Sequence, residues 1–187
     1  MRSIALLGPQ GSGKSTIASL FEEHRGYQRH GIADAIKHVA NLAYPDFKKE
    51  ERYPVDLLGS DGEPMLTGRE LLQEIGAALR KVDTRFWLRV WRQDFLEIQR
   101  MGYGVVVEDV RLDAEVAYLK LVEPTIFVVR LTASAEVRAA RRGGELLGAD
   151  DITERGWTDA YADLTLDTSD MSPEDAYRVI TDAMEVE

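Results

Sequence analysis

The chain has no cysteine, which excludes disulfides, thiolate catalysis and cysteine-ligated zinc. Histidine is almost as scarce: His24, His30 and His38 are the full complement of 3, and their spacing matches no metal-site pattern. Basic residues are outnumbered, 23 Lys plus Arg against 33 Asp plus Glu, for a formal charge of -10. Such an acidic balance argues against tight, sequence-independent binding to long nucleic acids, which depends on neutralising many phosphates. A small anionic substrate is still compatible with it, because a local arginine cluster can reverse the field inside one cleft. Long apolar runs are missing too. The run IALL at 4–7 is too short for a secretory h-region or a membrane helix, and no later segment approaches transmembrane length. No internal repeat or low-complexity tract is present. The expectation is a cytoplasmic protein without a membrane partner. At 187 residues, with 44% hydrophobic and 30% charged, it reads as one domain burying about 70% of its extended surface.

What is there alternates between two kinds of segment. Ile4 to Leu7 reads as a short buried strand, and Lys14 to about Glu23 carries Ile17, Ala18, Leu20 and Phe21 at helical spacing. ADAIKHVANLAY (33–44) reads as a second helix. The polar stretch PDFKKEERYPVDLLGSDGEPML, rich in Pro and Gly, reads as an irregular excursion. A helix restarts at Thr67, where Thr67 and Glu70 match a capping box, and another spans about Thr84 to Arg100. GVVVEDV (104–110) and TIFVVRL (125–131) are β-branched runs of the kind buried on both faces of a parallel sheet. A short helix, Asp113 to Leu121, lies between them. The helix AEVRAARR, the strand LTLDT (164–168) and the helix SPEDAYRVITDAM close the chain, with Ser172 as N-cap and Pro173 at the first helical position. This alternation predicts an α/β protein with a parallel sheet.

The stretch GPQGSGKS, Gly8 to Ser15, fits G-x-x-x-x-G-K-[ST] at every fixed position. Glycines let the backbone curl so that successive N–H groups point at phosphate oxygens, and the following helix N-terminus adds partial positive charge. Gly8, Gln10, Gly11, Ser12, Gly13, Lys14, Ser15 and Thr16 are therefore the candidate ATP-binding set. Lys14 is expected to reach the β- and γ-phosphates and Ser15 to ligate the Mg²⁺ that bridges them. A predicted strand precedes the motif and a predicted helix follows it, the context that separates it from a chance glycine turn. The strand VVVEDVR (105–111) ends in acids, and Asp109 is the second candidate metal ligand, with Glu108 alternating to the opposite face.

A phosphate loop alone does not separate kinases from GTPases, motors or regulatory ATPases. The guanine-reading [NT]-K-x-D motif is absent, which argues against a GTPase. Arg138 and Arg142 lie four apart on one helix with Arg141 beside them. They read either as arginines that close over a transferring phosphoryl group or as a solvated helix face paired with Glu136 and Glu145. Both readings stay open at the level of these residues.

GRELLQEIGAALR (68–80), the following Trp87, and VVVEDVRLDAE (105–115) resemble the bacteriophage deoxynucleoside monophosphate kinases, relatives of adenylate kinase. The resemblance touches most of the chain. It implies a P-loop NTPase-type three-layer α/β/α fold with a parallel sheet of about five strands, a helical acceptor-binding insertion at about 30–100 and a small lid at about 138–155. It implies Arg69, Gln73, Arg80 and Arg111 in the acceptor site, with Asp34, Lys37 and Trp87 assigned there as well, and Arg138, Arg141 and Arg142 over the donor. Lys14, Arg111, Arg138 and Arg142 would be the catalytic set. It implies MgATP as donor, a deoxynucleoside monophosphate as acceptor, and a monomer or homodimer. This chain has Ala77-Ala78 where the family usually has Thr and an acid, which leaves the base preference open, and Leu112 and Ala114 where it usually has an aromatic residue and Asn, which reads as altered packing rather than lost chemistry. The alternatives are another small kinase of the same fold, acting on dephospho-coenzyme A, a ribonucleoside monophosphate or a nucleic-acid 5′ end, the last disfavoured by the acidic charge, and a slow ATP-hydrolysing switch.

Overall fold

A computed structural model describes residues 1–56, 64–144 and 161–186. In chain order the elements are β1 (Ile4–Leu7), α1 (Lys14–Arg25), β2 (Gln28–Arg29), α2 (Asp34–Ala43), β3 (Arg52–Pro54), β4 (Met65–Thr67) and α3 (Gly68–Val82). They continue with α4 (Phe86–Arg100), β5 (Val105–Val110), α5 (Asp113–Val122), β6 (Phe127–Thr132), α6 (Ala135–Arg142), β7 (Leu164–Asp167) and α7 (Pro173–Glu185). These form two compact units: Met1–Gly31 with Arg92–Glu187, and Ile32–Trp91.

The first unit holds a five-stranded sheet in the order β2-β5-β1-β6-β7, and all its pairings are parallel. The expected apolar runs take the middle of it. Every residue of β1 is buried, as are Val105, Val106 and Val107 of β5 and Phe127, Val128 and Val129 of β6. Because side chains alternate along a strand, Ile4, Leu6, Val106, Phe127, Val129 and Leu131 share one face. There they form one cluster with Ile17, Ala18 and Phe21 of α1 and Ala176 and Ile180 of α7. Each fully buried side chain of this size contributes about 1.5–3 kcal/mol. Phe21 sits at the centre, edge-on to Tyr27 and Tyr177 with ring centroids 5.2 and 4.9 Å away.

Chain direction accounts for the third layer. From β1 the chain moves through α1 toward β2 at one edge, and from β5 through α5 it crosses back over β1 to β6. Right-handed crossovers in opposite directions put α1 and α5 on opposite faces. The result is a three-layer α/β/α fold with seven helices among the described residues. None of those helices is long and apolar enough to cross a membrane.

The second unit packs α2 against α3 and carries the antiparallel pair β3–β4. This hairpin is a departure from the irregular excursion expected there. Its strands have three residues each, too few for an alternating pattern to register. What holds the segment is Tyr53: its ring lies 5.0 Å from both Tyr44 and Phe47, and its hydroxyl accepts from the Lys48 N–H at 2.7 Å. The capping box forms as expected. Glu70 N–H donates to Thr67 Oγ1 at 3.2 Å and Thr67 N–H to Glu70 Oε2 at 2.7 Å, and that backbone donor holds the Glu70 carboxyl below its ordinary range. Ser172 likewise caps α7 by accepting from the Asp175 N–H at 3.1 Å.

Candidate active site

The loop from Gly8 to Lys14 leaves the sheet where Leu7 pairs with Val110 on one side and Arg130 on the other. That register puts it beside the carboxyl ends of β5 and β6, the edge where open α/β sheets bind ligands. Gly8, Gly11 and Gly13 have φ of 140°, 82° and 94°, so the chain can curl there as few other residues allow. The Ser12 N–H donates to Pro9 O at 3.2 Å, which tightens the turn. Lys14 Nζ folds over the loop and donates to Gly8 O at 2.5 Å and Pro9 O at 2.8 Å. Ser15 and Thr16 are exposed on the first turn of α1. That turn holds no acidic residue, so the positive helix end is not neutralised from within. Ser12 is fully buried, and its Oγ has no hydrogen-bond partner among the described residues.

Asp109 immediately precedes Val110, the partner of Leu7, and so stands at the same edge. Its carboxylate lies directly over Gly31: a Cβ added there would come within 2.7 Å of Asp109 Oδ2. Glu108 takes other partners. It pairs with Arg29 of β2, and Arg29 also donates to Ser19 Oγ on α1 at 3.1 Å. The Ser15 hydroxyl and the Asp109 carboxylate are hard oxygen donors. This set suits Mg²⁺, which is usually held by one or two protein oxygens, with waters and substrate phosphates completing its shell. Gly31→Ala is expected to push the Asp109 carboxylate aside and raise the Mg²⁺ concentration needed for half-maximal nucleotide binding. A titration of MgADP binding against Mg²⁺ checks this, and an unchanged midpoint would separate Gly31 from the metal.

Arg111 is the first residue beyond β5 and is exposed; its backbone N–H donates to Glu115 Oε2 at 2.8 Å. On α6 all three arginines reach the loop. Arg138 donates to Gln10 O at 3.3 Å and Arg141 to Gly11 O at 3.4 Å. Arg142 lies against the Gln10 carboxamide, and with that amide turned so that its oxygen faces the guanidinium, Nη2 donates to it at 3.3 Å. The contact is close, since a Cβ on Gly11 would lie 2.8 Å from the Arg138 carbonyl oxygen. Glu145, and the expected lid beyond 144, lie outside the described residues.

The remaining expected residues belong to the second unit. Asp34 and Lys37 form an ion pair of 2.6 Å on α2. Arg69, Gln73 and Arg80 are exposed on α3, and spacings of 4 and 7 put them on one face. Arg80 folds back over Gly76 of that face: its Nη1 would be 3.1 Å from a Cβ there. Trp87 is 3% exposed, and its Nε1 donates to Gly76 O at 3.0 Å. That bond ties the start of α4 to α3.

Sequence reasoning missed two features of the loop's surroundings. One is the approach of Gly31 to Asp109. The other is Thr168, the residue after β7, which is 4% exposed and donates to Ser12 O at 3.2 Å. The run DTSD was the available signal, a cluster of short polar side chains closing an apolar strand. Beside Thr168, Asp167 accepts from Ser169 Oγ at 2.6 Å and from its N–H at 2.9 Å. These two bonds, with Arg141 nearby, hold its carboxyl below the ordinary range.

No protein-family model matches the sequence, and no curated protein matches it. Solved structures do. A sugar kinase from Janibacter sp. superposes with a TM-score of 0.60 at 18% identity, over 99% of this chain and 95% of that one. A gluconokinase from Sinorhizobium meliloti gives 0.56 at 18% identity, over 98% and 91%. A shikimate kinase from Acinetobacter baumannii, solved with shikimate, gives 0.52 at 15% identity, over 100% and 94%. What the chain shares with these kinases is the fold, the three-layer α/β/α architecture around a five-stranded parallel sheet.

Proposed function

We propose that this chain is an ATP-dependent small-molecule kinase, and that its acceptor is a deoxynucleoside monophosphate. The observation that carries the donor half is the Gly8–Ser15 loop at the carboxyl edge of the sheet, with Asp109 and Arg111 at the same edge. The acceptor half rests on the resemblance of RELLQ and DVR to the phage kinases, supported by Arg69, Gln73 and Arg80 sharing one face of α3.

In this reading an oxygen of the acceptor's phosphate attacks the γ-phosphorus of ATP. The bond to the β,γ-bridging oxygen breaks, giving a deoxynucleoside diphosphate and ADP. The acceptor phosphate is already anionic near neutral pH, so no strong general base is required. Lys14 and the loop N–H groups hold the donor phosphates, and Arg138 and Arg142 neutralise charge on the transferring group. Ser15 and Asp109 would hold Mg²⁺, which when bound would supply positive charge against the donor phosphates. Arg111 presents a planar fork to the acceptor phosphate. Gln73, with both donors and an acceptor, reads the base edge.

The test is ADP formation from MgATP with each deoxynucleoside and ribonucleoside monophosphate, dephospho-coenzyme A, gluconate, shikimate and a blank. A rise with one or more deoxynucleoside monophosphates is expected, and their ranking gives the base preference. No rise above the blank with any nucleotide would end the nucleotide reading. Gluconate and shikimate are included because proteins of this fold carry those names. Arg111→Ala is expected to raise the acceptor KM or lower turnover by at least tenfold while ATP affinity changes less than twofold, about the loss of one charged hydrogen-bonding partner. Equal losses on both sides would remove Arg111 from the acceptor site.

A further inference from the structure

The outward side of the phosphate loop carries contacts additional to those proposed for the phosphoryl group. A loop that turns N–H groups toward an anion turns carbonyls away from it, and those carbonyls need donors. Here three consecutive carbonyls accept from three different side chains. Arg138 serves Gln10 O at 3.3 Å, Arg141 serves Gly11 O at 3.4 Å, and Thr168 Oγ1 serves Ser12 O at 3.2 Å. The last two donors are joined: Arg141 donates to Thr168 Oγ1 at 2.9 Å and to Thr168 O at 2.5 Å. Thr168 is anchored in turn, since its N–H donates to Thr132 O at 2.8 Å; that oxygen is 3.1 Å from the hydroxyl as well, but with the N–H already satisfying it, the hydroxyl's single proton is left for Ser12 O.

We propose that Thr168 is a positioning residue for the donor phosphates, acting through the Ser12–Gly13 peptide. In a planar trans peptide the C=O and the following N–H point in opposite directions. Holding the Ser12 carbonyl outward therefore aims the Gly13 N–H inward, where the phosphates are bound. Thr168 touches no substrate. Its hydroxyl joins the end of β7 to α6 and the loop, so the arginine helix and the phosphate seat are held as one piece. The proposal rests on the donor half of the function above and is independent of the acceptor.

Two readouts test it, backbone NMR order parameters of Ser12 and Gly13 in the ligand-free protein and the Kd for MgADP. Thr168→Val keeps the shape and removes the hydroxyl. It is expected to lower the Gly13 order parameter from the rigid range near 0.85 to below about 0.6 and to weaken MgADP about tenfold. Thr168→Ser, which keeps the hydroxyl, restores both. A valine variant with wild-type order parameters and a Kd within twofold overturns the proposal, as does a serine variant as impaired as the valine one. Should the valine variant fail to fold, Thr168→Ala, which also removes the hydroxyl, carries the same loop measurement, and a loop as rigid as wild type overturns the proposal. A wild-type protein that binds no MgADP would end the donor reading, while the order parameters still decide whether Thr168 holds the loop.

Discussion

Lys14→Ala is expected to lower turnover by about 10²–10³-fold, the loss seen when one preorganised charge-stabilising donor is removed from a polar transition state. The position is specialised for charge rather than packing. Lys14 is half-buried at the start of α1, and its Nζ reaches Gly8 O at 2.5 Å and Pro9 O at 2.8 Å, carbonyls of the loop itself. Those bonds hold the ammonium group over the loop. Stability should change little. At a half-buried site, where water takes the place of the lost partner, the net cost is about 1 kcal/mol, or about 2–4 °C of melting temperature for a chain of this size. Initial rates with saturating acceptor, beside a thermal melt, check both halves. A folded variant with near-normal turnover would remove the loop from the chemistry and the kinase reading with it.

Gly8→Ala is expected to be the most damaging small substitution for stability. A Cβ at Gly8 would lie 2.1 Å from Leu131 O and 2.9 Å from Ser12 Oγ, at a φ of 140° that residues with a side chain rarely adopt. The obstacle is a backbone carbonyl of β6, at Leu131, which pairs with Leu166 of β7 in the sheet, so it cannot rotate aside. Either the loop lifts off the sheet or β1 and β6 separate where both are fully buried. Such strain costs at least about 3 kcal/mol, which lowers the melting temperature by roughly 6–12 °C, and the lifted loop loses nucleotide as well. Circular dichroism melts measure the first effect and MgADP titration the second. A melting temperature within about 2 °C of wild type would mean that the loop entry relaxes at little cost.

Together the two variants separate the loop's charge from its shape. Lys14 should alter rate with little change in stability, whereas Gly8 should alter both. Thr168 stands between them: its substitution should loosen and weaken the seat without introducing a clash.

Much of the architecture is local chemistry and was readable as such. The β-branched runs at 105–110 and 127–132 are strands because their residues suit a buried pleated surface. Ser172-Pro173 and Thr67 with Glu70 start helices because their side chains satisfy orphan N–H groups within four residues. The phosphate loop is the extreme case, since its eight residues carry their own turn, donors and cation. Short-range order of this kind repeats at fixed spacing and is visible without the fold.

The surroundings of the site are another matter. Sequence alone determined that there is a strand, a glycine-rich loop, a helix and a later strand ending in acid. Only the tertiary structure decided what presses on them. It brought Thr168 to Ser12 across 156 positions and Arg138 to Gln10 across 128, laid Asp109 over Gly31, and gave Glu108, already on the opposite face by strand alternation, Arg29 as its partner. It also formed the β3–β4 hairpin from segments too short to announce themselves. Pairs so far apart leave no period in the chain. They exist because a parallel sheet gathers the carboxyl ends of strands from distant parts of the sequence onto one edge, where loop carbonyls without internal partners take whatever donors the neighbouring strands and helices supply.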